Sequence, residues 1–89
     1  MIWEIEFDER ARKELRKLGA TAQRQILHYL RTRIATDQDP RRFGKPMLGD
    51  KWGLWRYRVG DYRLICQIED EKFVVLVVKV GNRRDVYED

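Results

Sequence analysis

The chain has 89 residues, 43% hydrophobic and 38% charged, and this length accommodates one domain built around one modest core. The apolar content is too high for a disordered chain, and no apolar run approaches the roughly 20 residues of a membrane-spanning helix. The single cysteine, Cys66, has no partner for an internal disulfide, and the residues offer no metal-ligand spacing. Acidic residues stand near the N-terminus, where a secretion signal needs basic ones. We therefore predict a single cytoplasmic domain over residues 1–89, with no cofactor, metal or membrane partner.

The positive charge of the chain is concentrated in one stretch. Nineteen basic and fifteen acidic residues give a net charge of +4. From Arg41 to Arg63 there are seven basic and two acidic residues, a net charge of +5, which exceeds the net +4 of the whole chain. A net charge of +4 is weak evidence for a nucleic-acid partner, but its concentration favours an anionic one.

The first half of the chain predicts a strand and two helices. Residues 2–7 alternate apolar and acidic side chains, as in a half-buried strand. Asp8 then caps a helix over residues 9–18, which Gly19 ends. Thr21 is predicted to cap a second helix, and the short link favours a helical hairpin. The apolar stripe of the second helix consists of Ala22, Ile26, Leu30 and Ile34.

The second half of the chain predicts a three-stranded meander. Residues 36–50 lack periodicity and indicate a surface loop. Two alternating strands follow, Leu54–Val59 and Tyr62–Ile68, joined by a tight turn at Gly60-Asp61. The apolar run Phe73–Val80 predicts a central strand buried on both faces. The order β-α-α-β-β-β predicts an α+β fold, with the N-terminal strand and helical hairpin packed on one face of an antiparallel sheet.

Strand alternation gathers arginines on the sheet face away from the helices. Arg56 and Arg58 share one side of their strand, and the tight turn brings Arg63 to the same face. Guanidinium groups bind phosphate in bidentate fashion, so three of them on one uncovered face favour a phosphate ligand. The sequence supports about equally the alternative that these arginines are solvated or paired with acids, such as Glu4, Glu6 or Glu69.

Three other residues have side chains that can act in binding or catalysis. Trp52, at the entrance of the first meander strand, is open to stack on a base. His28 lies in the middle of a predicted helix, and without a second histidine a two-histidine ribonuclease scheme fails. Cys66 alternates with apolar residues and is predicted to lie in the core rather than to act as a nucleophile.

Two segments carry a resemblance to a known family. The segments LWRYRVGDYRL, which begins at Leu54, and VGNRRDVY, which ends at Tyr87, resemble the RelE toxins of the RelE/ParE superfamily. Phe7-Asp8 before a basic helix and the loop element PMLG resemble them too. The resemblance covers essentially the whole chain. Its Val-Gly-x-Arg-x-x-x-Tyr ending is more selective for the RNA-cleaving branch.

The resemblance implies a bacterial toxin that cleaves messenger RNA in the ribosomal A site without a metal. The 2′-hydroxyl attacks the adjacent phosphate and leaves a 2′,3′-cyclic phosphate and a free 5′-hydroxyl. In the best-studied family pattern, lysines stand at the positions of Arg56 and Arg58. Arginine stays protonated, so these two are expected to clamp phosphate, and Tyr87 is the remaining candidate base. Arg83 would steady the leaving 5′-oxygen or donate to it. The implied catalytic set is Arg56, Arg58, Arg63, Arg83 and Tyr87.

The resemblance also implies partners. A RelB-like antitoxin would bind the toxin through a helical, often acidic segment, and operator DNA would be contacted only through that complex. Two alternatives stay open: a ParE-like toxin that poisons DNA gyrase by protein binding, and an RNA-binding module without turnover. Arg83 and Tyr87 favour RNA cleavage over gyrase poisoning. Contact with RNA or the ribosome is expected from Arg41, Arg42, Lys45, Lys51, Trp52 and Arg84.

Overall fold

The computed structural model describes residues 1–82, apart from the side chain of Asp50. Within that range, no helix is long and apolar enough to cross a membrane. The five strands form one sheet in the order β1-β5-β4-β3-β2. In chain order, the helices and strands are β1 (Glu4–Phe7), α1 (Glu9–Lys17), α2 (Ala20–Tyr29), a π-helical turn (Leu30–Ile34), a 3-10 helix (Pro40–Phe43), β2 (Lys45–Pro46), a 3-10 turn (Gly49–Lys51), β3 (Leu54–Val59), β4 (Tyr62–Glu69), a 3-10 turn (Asp70–Lys72) and β5 (Val74–Asn82).

The sheet combines the predicted meander with a parallel edge strand. β3, β4 and β5 pair in antiparallel fashion, as the sequence indicated. β1 pairs in parallel with β5, from Glu4 opposite Val74 to Phe7 opposite Val77. The α+β fold with helices on one face is confirmed, and the N-terminal strand is itself part of the sheet, which is therefore mixed. β5 lies between β1 and β4, so the prediction of a central strand is also confirmed.

Capping residues explain where the two helices begin. The Asp8 carboxylate accepts a hydrogen bond from the backbone N–H of Ala11 at 2.8 Å and caps α1. Gly19 follows α1 with a φ of 93°, a conformation that glycine adopts without strain, and is also the N-cap of α2. The prediction that Thr21 caps α2 is therefore wrong. Because the chain turns and restarts its helix at Gly19, Thr21 lies inside the first turn.

The core lies between the helices and one face of the sheet. Across from the helices, the sheet contributes Tyr57, Leu64 and Cys66, each at most 1% exposed. Burial raises the pKa of the Cys66 thiol far above its ordinary value, so the thiol is a core group and not a nucleophile, as predicted. The four residues of the apolar stripe predicted for the second helix are each at most 2% exposed: Ala22, Ile26, Leu30 and Ile34.

The segment predicted as a surface loop contains short elements and buried residues. Asp39 caps the 3-10 helix by accepting from the backbone N–H of Arg41 at 3.0 Å. β2 extends the sheet by two residues, with Lys45 opposite Arg56. Met47 is 1% exposed. The loop prediction missed these features because a two-residue strand containing proline has no periodicity to detect.

Replacing Gly44 with alanine is expected to destabilise the fold by about 1–3 kcal/mol through overpacking. A Cβ at this position would lie 2.9 Å from the Tyr57 ring. That ring is 1% exposed and its hydroxyl donates to the carbonyl oxygen of Pro40 at 2.9 Å, so it cannot move aside. The backbone φ of −109° suits alanine, which leaves the clash as the cost. Urea unfolding measures the change.

A double-mutant cycle isolates the cause of that destabilisation. In a Tyr57→Leu background the ring is absent, so the Gly44→Ala substitution should cost much less than it does in the wild-type chain. Equal costs in the two backgrounds would show that the close approach to the ring is not what makes glycine necessary.

Candidate functional site

The sheet surface turned away from the helices is the candidate site, here called the second face. It is formed by the side chains of Leu54, Arg56 and Arg58 from β3 and their cross-strand neighbours. Side chains directly opposite each other in paired strands share a face. Arg58 lies opposite Arg63, and Arg56 lies opposite Ile65. The register therefore brings the three meander arginines together on the second face.

Two cross-strand rows organise the second face. Neighbouring strands lie about 4.8 Å apart, so a row across four strands spans about 14 Å. The residues named in the two rows include no acid. The first row is Arg58, Arg63 and Gly81. The second row is Lys45, Arg56, Ile65 and Lys79.

The acids named as alternative partners of the arginines lie elsewhere. Glu4 and Glu6 are on β1, opposite Val74 and Leu76, and β1 is three strands away from β3. At the usual strand spacing this separates them from Arg56 by about 14 Å or more. The Glu69 carboxylate is 3.6 Å from the Lys72 ammonium and 3.4 Å from the Gln67 amide. The sheet thus separates its acidic edge from its basic rows.

Part of the second face is covered. Met47 packs on Ile65, which is 5% exposed, and Leu54 and Val78 pack against the same pair. The expectation of an uncovered face is therefore correct only in part. Since Met47 precedes the loop that leads into β3, that loop folds over one end of the second face. The first row lies at the other end, next to the turn at residues 60 and 61.

A β-bulge brings to the second face a lysine that was not among the predicted site residues. Val75 and Val77 face the core and are 0% exposed, so strict alternation would bury Lys79 beside them. The register shifts at Ile65 and Cys66, which lie opposite Lys79 and Val77. The extra residue in β5 reverses the alternation and turns Lys79 to the second face. A lone lysine at a position that alternation assigns to the core was the signal available in the sequence.

Replacing Arg58 with threonine is expected to raise the free energy of unfolding by about 0.2–1 kcal/mol, because like charges directly opposite each other destabilise a sheet. Arg58 is exposed and lies opposite Arg63. Arg58→Lys keeps the charge and should show no such gain. Thermal unfolding of both variants at low salt measures the difference. A less stable threonine variant would show that the arginine pair does not strain the fold.

Two of the residues predicted to contact RNA or the ribosome are engaged in local contacts. The Arg41 guanidinium makes hydrogen bonds of 3.1 and 2.6 Å to the Asp70 carboxylate and one of 3.3 Å to Asp39. The hydrogen bonds from Arg41 lower the pKa of the Asp70 carboxyl. The Arg41 guanidinium carbon also lies 5.7 Å from the centre of the Trp55 ring, and Trp55 packs on the helix side of the sheet. Arg41 is therefore not brought to the second face. The Arg42 guanidinium lies 4.5 Å from the centre of the Phe43 ring.

The other predicted contact residues border the second face or fall outside the description. Lys45 belongs to the second row. Lys51 and Trp52 lie in the segment that leads into β3, and Trp52 is 82% exposed. Asn82, the last described residue, pairs with Tyr62 beside the first row. Predicted residues that lie outside the described part of the chain are Arg83, Arg84 and Tyr87.

Comparison with known proteins identifies the family. A profile of the family described as ParE toxin of type II toxin-antitoxin system, parDE, matches residues 5–87. The chain is 38% identical over 93 residues to the mRNA interferase toxin RelE of Escherichia coli, covering 100% of this chain and 94% of the relative. It is 30% identical over 87 residues to toxin RelG of Mycobacterium tuberculosis, covering 98% of each.

Solved structures agree with the sequence matches. The fold is similar to the toxin–antitoxin complex RelBE2 of Mycobacterium tuberculosis, with a TM-score of 0.85 at 28% identity over 93% of each chain. It is also similar to the isolated RelE toxin of Escherichia coli, with a TM-score of 0.70 at 33% identity over 90% of this chain and 83% of that one. The chain therefore belongs to the RelE toxins of the RelE/ParE superfamily of type II toxin–antitoxin systems, as the sequence resemblance indicated.

Proposed function

We propose that the chain is an endoribonuclease that cleaves messenger RNA in the ribosomal A site without a metal. The observation that carries this proposal is the pair of basic rows on the second face, with Arg58 and Arg63 held opposite each other. Guanidinium groups bind phosphate in bidentate fashion, so two of them side by side suit one RNA phosphate. The relative from Escherichia coli is named an mRNA interferase, which supports the same reading.

The chemistry of RNA cleavage matches these residues. Attack of the 2′-hydroxyl on the phosphate builds negative charge on the phosphorane and on the leaving 5′-oxygen. Arg56, Arg58 and Arg63 would stabilise that charge, at about 2.7–4 kcal/mol for a single well-placed donor. Arg83 would hold the leaving oxygen, and Tyr87 would accept the 2′-proton. The last two roles rest on the resemblance.

Substrate contacts outside the rows would come from the loop before β3 and from the tail. Trp52 is 82% exposed and can stack on a base. We propose Lys51 with it as a phosphate or ribosome contact, together with Arg42 and Arg84, and Lys45 as a further contact within the second row. Arg41 is not included, because Asp70 and Asp39 already hold its guanidinium.

The proposal includes an antitoxin partner and a cytoplasmic site of action, where ribosomes are found. The similar structures include the complex RelBE2 and the RelE-RelB complex from Pyrococcus horikoshii. A RelB-like antitoxin is therefore proposed for this chain, with operator DNA contacted only through the complex. The acidic segment expected in such an antitoxin would complement the net charge of +4 on this chain.

Primer extension on cellular messages tests the activity. The toxin is induced without antitoxin beside one message that is translated and the same message without its start codon. Cuts within codons of the translated message alone are expected. Uniform cuts in both messages would contradict ribosome dependence, and intact messages in arrested cells would contradict cleavage itself.

Gyrase poisoning is the second candidate function, because the matching family profile is that of ParE. It predicts growth arrest with intact messages, DNA breaks and an SOS response. The same induced culture provides samples for both assays, so one experiment separates the two functions.

A further inference from the structure

We propose that Lys79 is the general acid of the reaction and gives its proton to the leaving 5′-oxygen. The inference rests on the proposed ribonuclease function. It starts from the bulge in β5, because without that bulge Lys79 would point into the core.

A hydrogen bond from the backbone of β5 to α1 lies next to this bulge. β1 pairs with β5 only as far as Phe7 opposite Val77, so β5 continues beyond the end of its neighbour. There the Glu14 carboxylate of α1 accepts a hydrogen bond from the backbone N–H of Val80 at 2.8 Å. The contact satisfies a backbone donor on the edge of β5 where β1 no longer pairs with it. Val80 is 3% exposed in the core, which leaves Lys79 on the opposite side.

The position of Lys79 relative to the first row suits a contact with the reacting phosphate. Lys79 lies opposite Ile65, and the next pair along the strands is Gly81 opposite Arg63. Diagonal neighbours of this kind have Cα atoms about 7–8 Å apart, within reach of long side chains. Gly81 has no side chain and is partly exposed, so it adds no side chain to the second face beside Lys79 and Arg63. Glycine in a strand often marks a place where a ligand approaches the backbone.

Protonation chemistry distinguishes Lys79 from the arginines around it. An arginine stays protonated, so it can stabilise charge but cannot deliver a proton. A lysine ammonium can do both. Lys45, the other lysine of the second row, is exposed on a two-residue edge strand, whereas Lys79 is half-buried on a central strand. A half-buried ammonium next to the first row is better placed to reach one specific oxygen.

The proton transfers balance in this scheme. The 2′-proton passes to the general base as the O2′–P bond forms, and the base then releases it to water. The P–O5′ bond breaks, its electron pair stays on the 5′-oxygen, and that oxygen takes a proton from Nζ of Lys79. The products are a 2′,3′-cyclic phosphate and a 5′-hydroxyl. Lys79 is left neutral and regains a proton from water.

The test compares two leaving groups on ribosome-bound messages. One message has the normal linkage at its mapped cleavage site, and the other has sulfur in place of the bridging 5′-oxygen. A thiolate leaves without protonation, so it needs no acid. Single-turnover cleavage is measured for the unsubstituted protein, Lys79→Met and Lys79→Arg, with Lys13→Met as a matched control on the exposed side of α1.

The expected result is a loss of about 10²-fold or more for both Lys79 variants on the oxygen linkage, and no loss on the sulfur linkage. The Lys13→Met variant should cleave both messages as fast as the unsubstituted protein does. Full activity of Lys79→Arg would overturn the inference, because charge alone would then suffice. Equal losses on both linkages would overturn it too, since the role would not be proton donation. Absence of cleavage by the unsubstituted protein would instead remove the proposed function, and this inference with it.

Discussion

Replacing Arg63 with glutamine is expected to reduce message cleavage by roughly 10²- to 10³-fold, as for loss of one donor to a transition-state oxyanion. Arg63 lies in the first row between Arg58 on β3 and Gly81 on β5, so its charge is central to the basic surface. Glutamine keeps a hydrogen-bonding group but loses the charge and the bidentate fork. Cleavage rates on ribosome-bound message measure the effect.

The control for Arg63→Gln is Arg24→Gln, which removes an exposed arginine from α2 on the other side of the molecule. It has the same charge change and should cleave at the unsubstituted rate. The cleavage rate of Arg63→Lys is expected to lie between those of the unsubstituted protein and Arg63→Gln, because lysine keeps a point charge but lacks the bidentate fork. Full activity and full growth arrest with Arg63→Gln would mean that the first row is not the active site.

Replacing Ile26 with alanine is expected to lower the free energy of unfolding by about 2–5 kcal/mol. Ile26 is 0% exposed in α2 and packs in the cluster that joins the helices to the sheet. Domains are typically stable by only about 5–15 kcal/mol, so this is a large fraction of the total. For a domain of this size, each kcal/mol lowers the melting temperature by about 4–8 °C. Calorimetry or circular dichroism measures it.

Leu27→Ala is the matched control for Ile26→Ala. Leu27 is the next residue of the same helix but is only partly buried, so its truncation should cost clearly less. If the two costs are equal, burial in this cluster is not what sets stability. Ile26→Ala should also weaken growth arrest in proportion to the folded fraction, without touching the second face. Variants of the basic rows therefore need their stability measured beside their activity.

Elements with a clear alternation could be predicted from the sequence, and elements set by distant partners could not. The bounds of β3 and the sidedness of Arg56 and Arg58 followed from local alternation and one tight turn. The parallel pairing of β1 could not be predicted because its partner, β5, is at the other end of the described chain.

The candidate site shows the same division. Arg41 belongs to a basic stretch of sequence, yet its guanidinium is held by Asp70, 29 positions away. Lys79 was missed because one extra residue in β5 reverses the facing of every later side chain, and alternation within the strand alone does not reveal that extra residue. Charge density locates a basic region, but the register decides which of its members meet.

The central position of the last described strand governs when the molecule can be complete. During synthesis β1, both helices, β3 and β4 leave the ribosome before β5, which must enter between β1 and β4. Until Asn82 has emerged, no strand joins the two parts of the sheet, and the first row lacks Gly81. A ribosome still producing β5 therefore carries a nascent chain whose first row is unassembled. The topology places completion of the basic surface after every other strand of the sheet has been made.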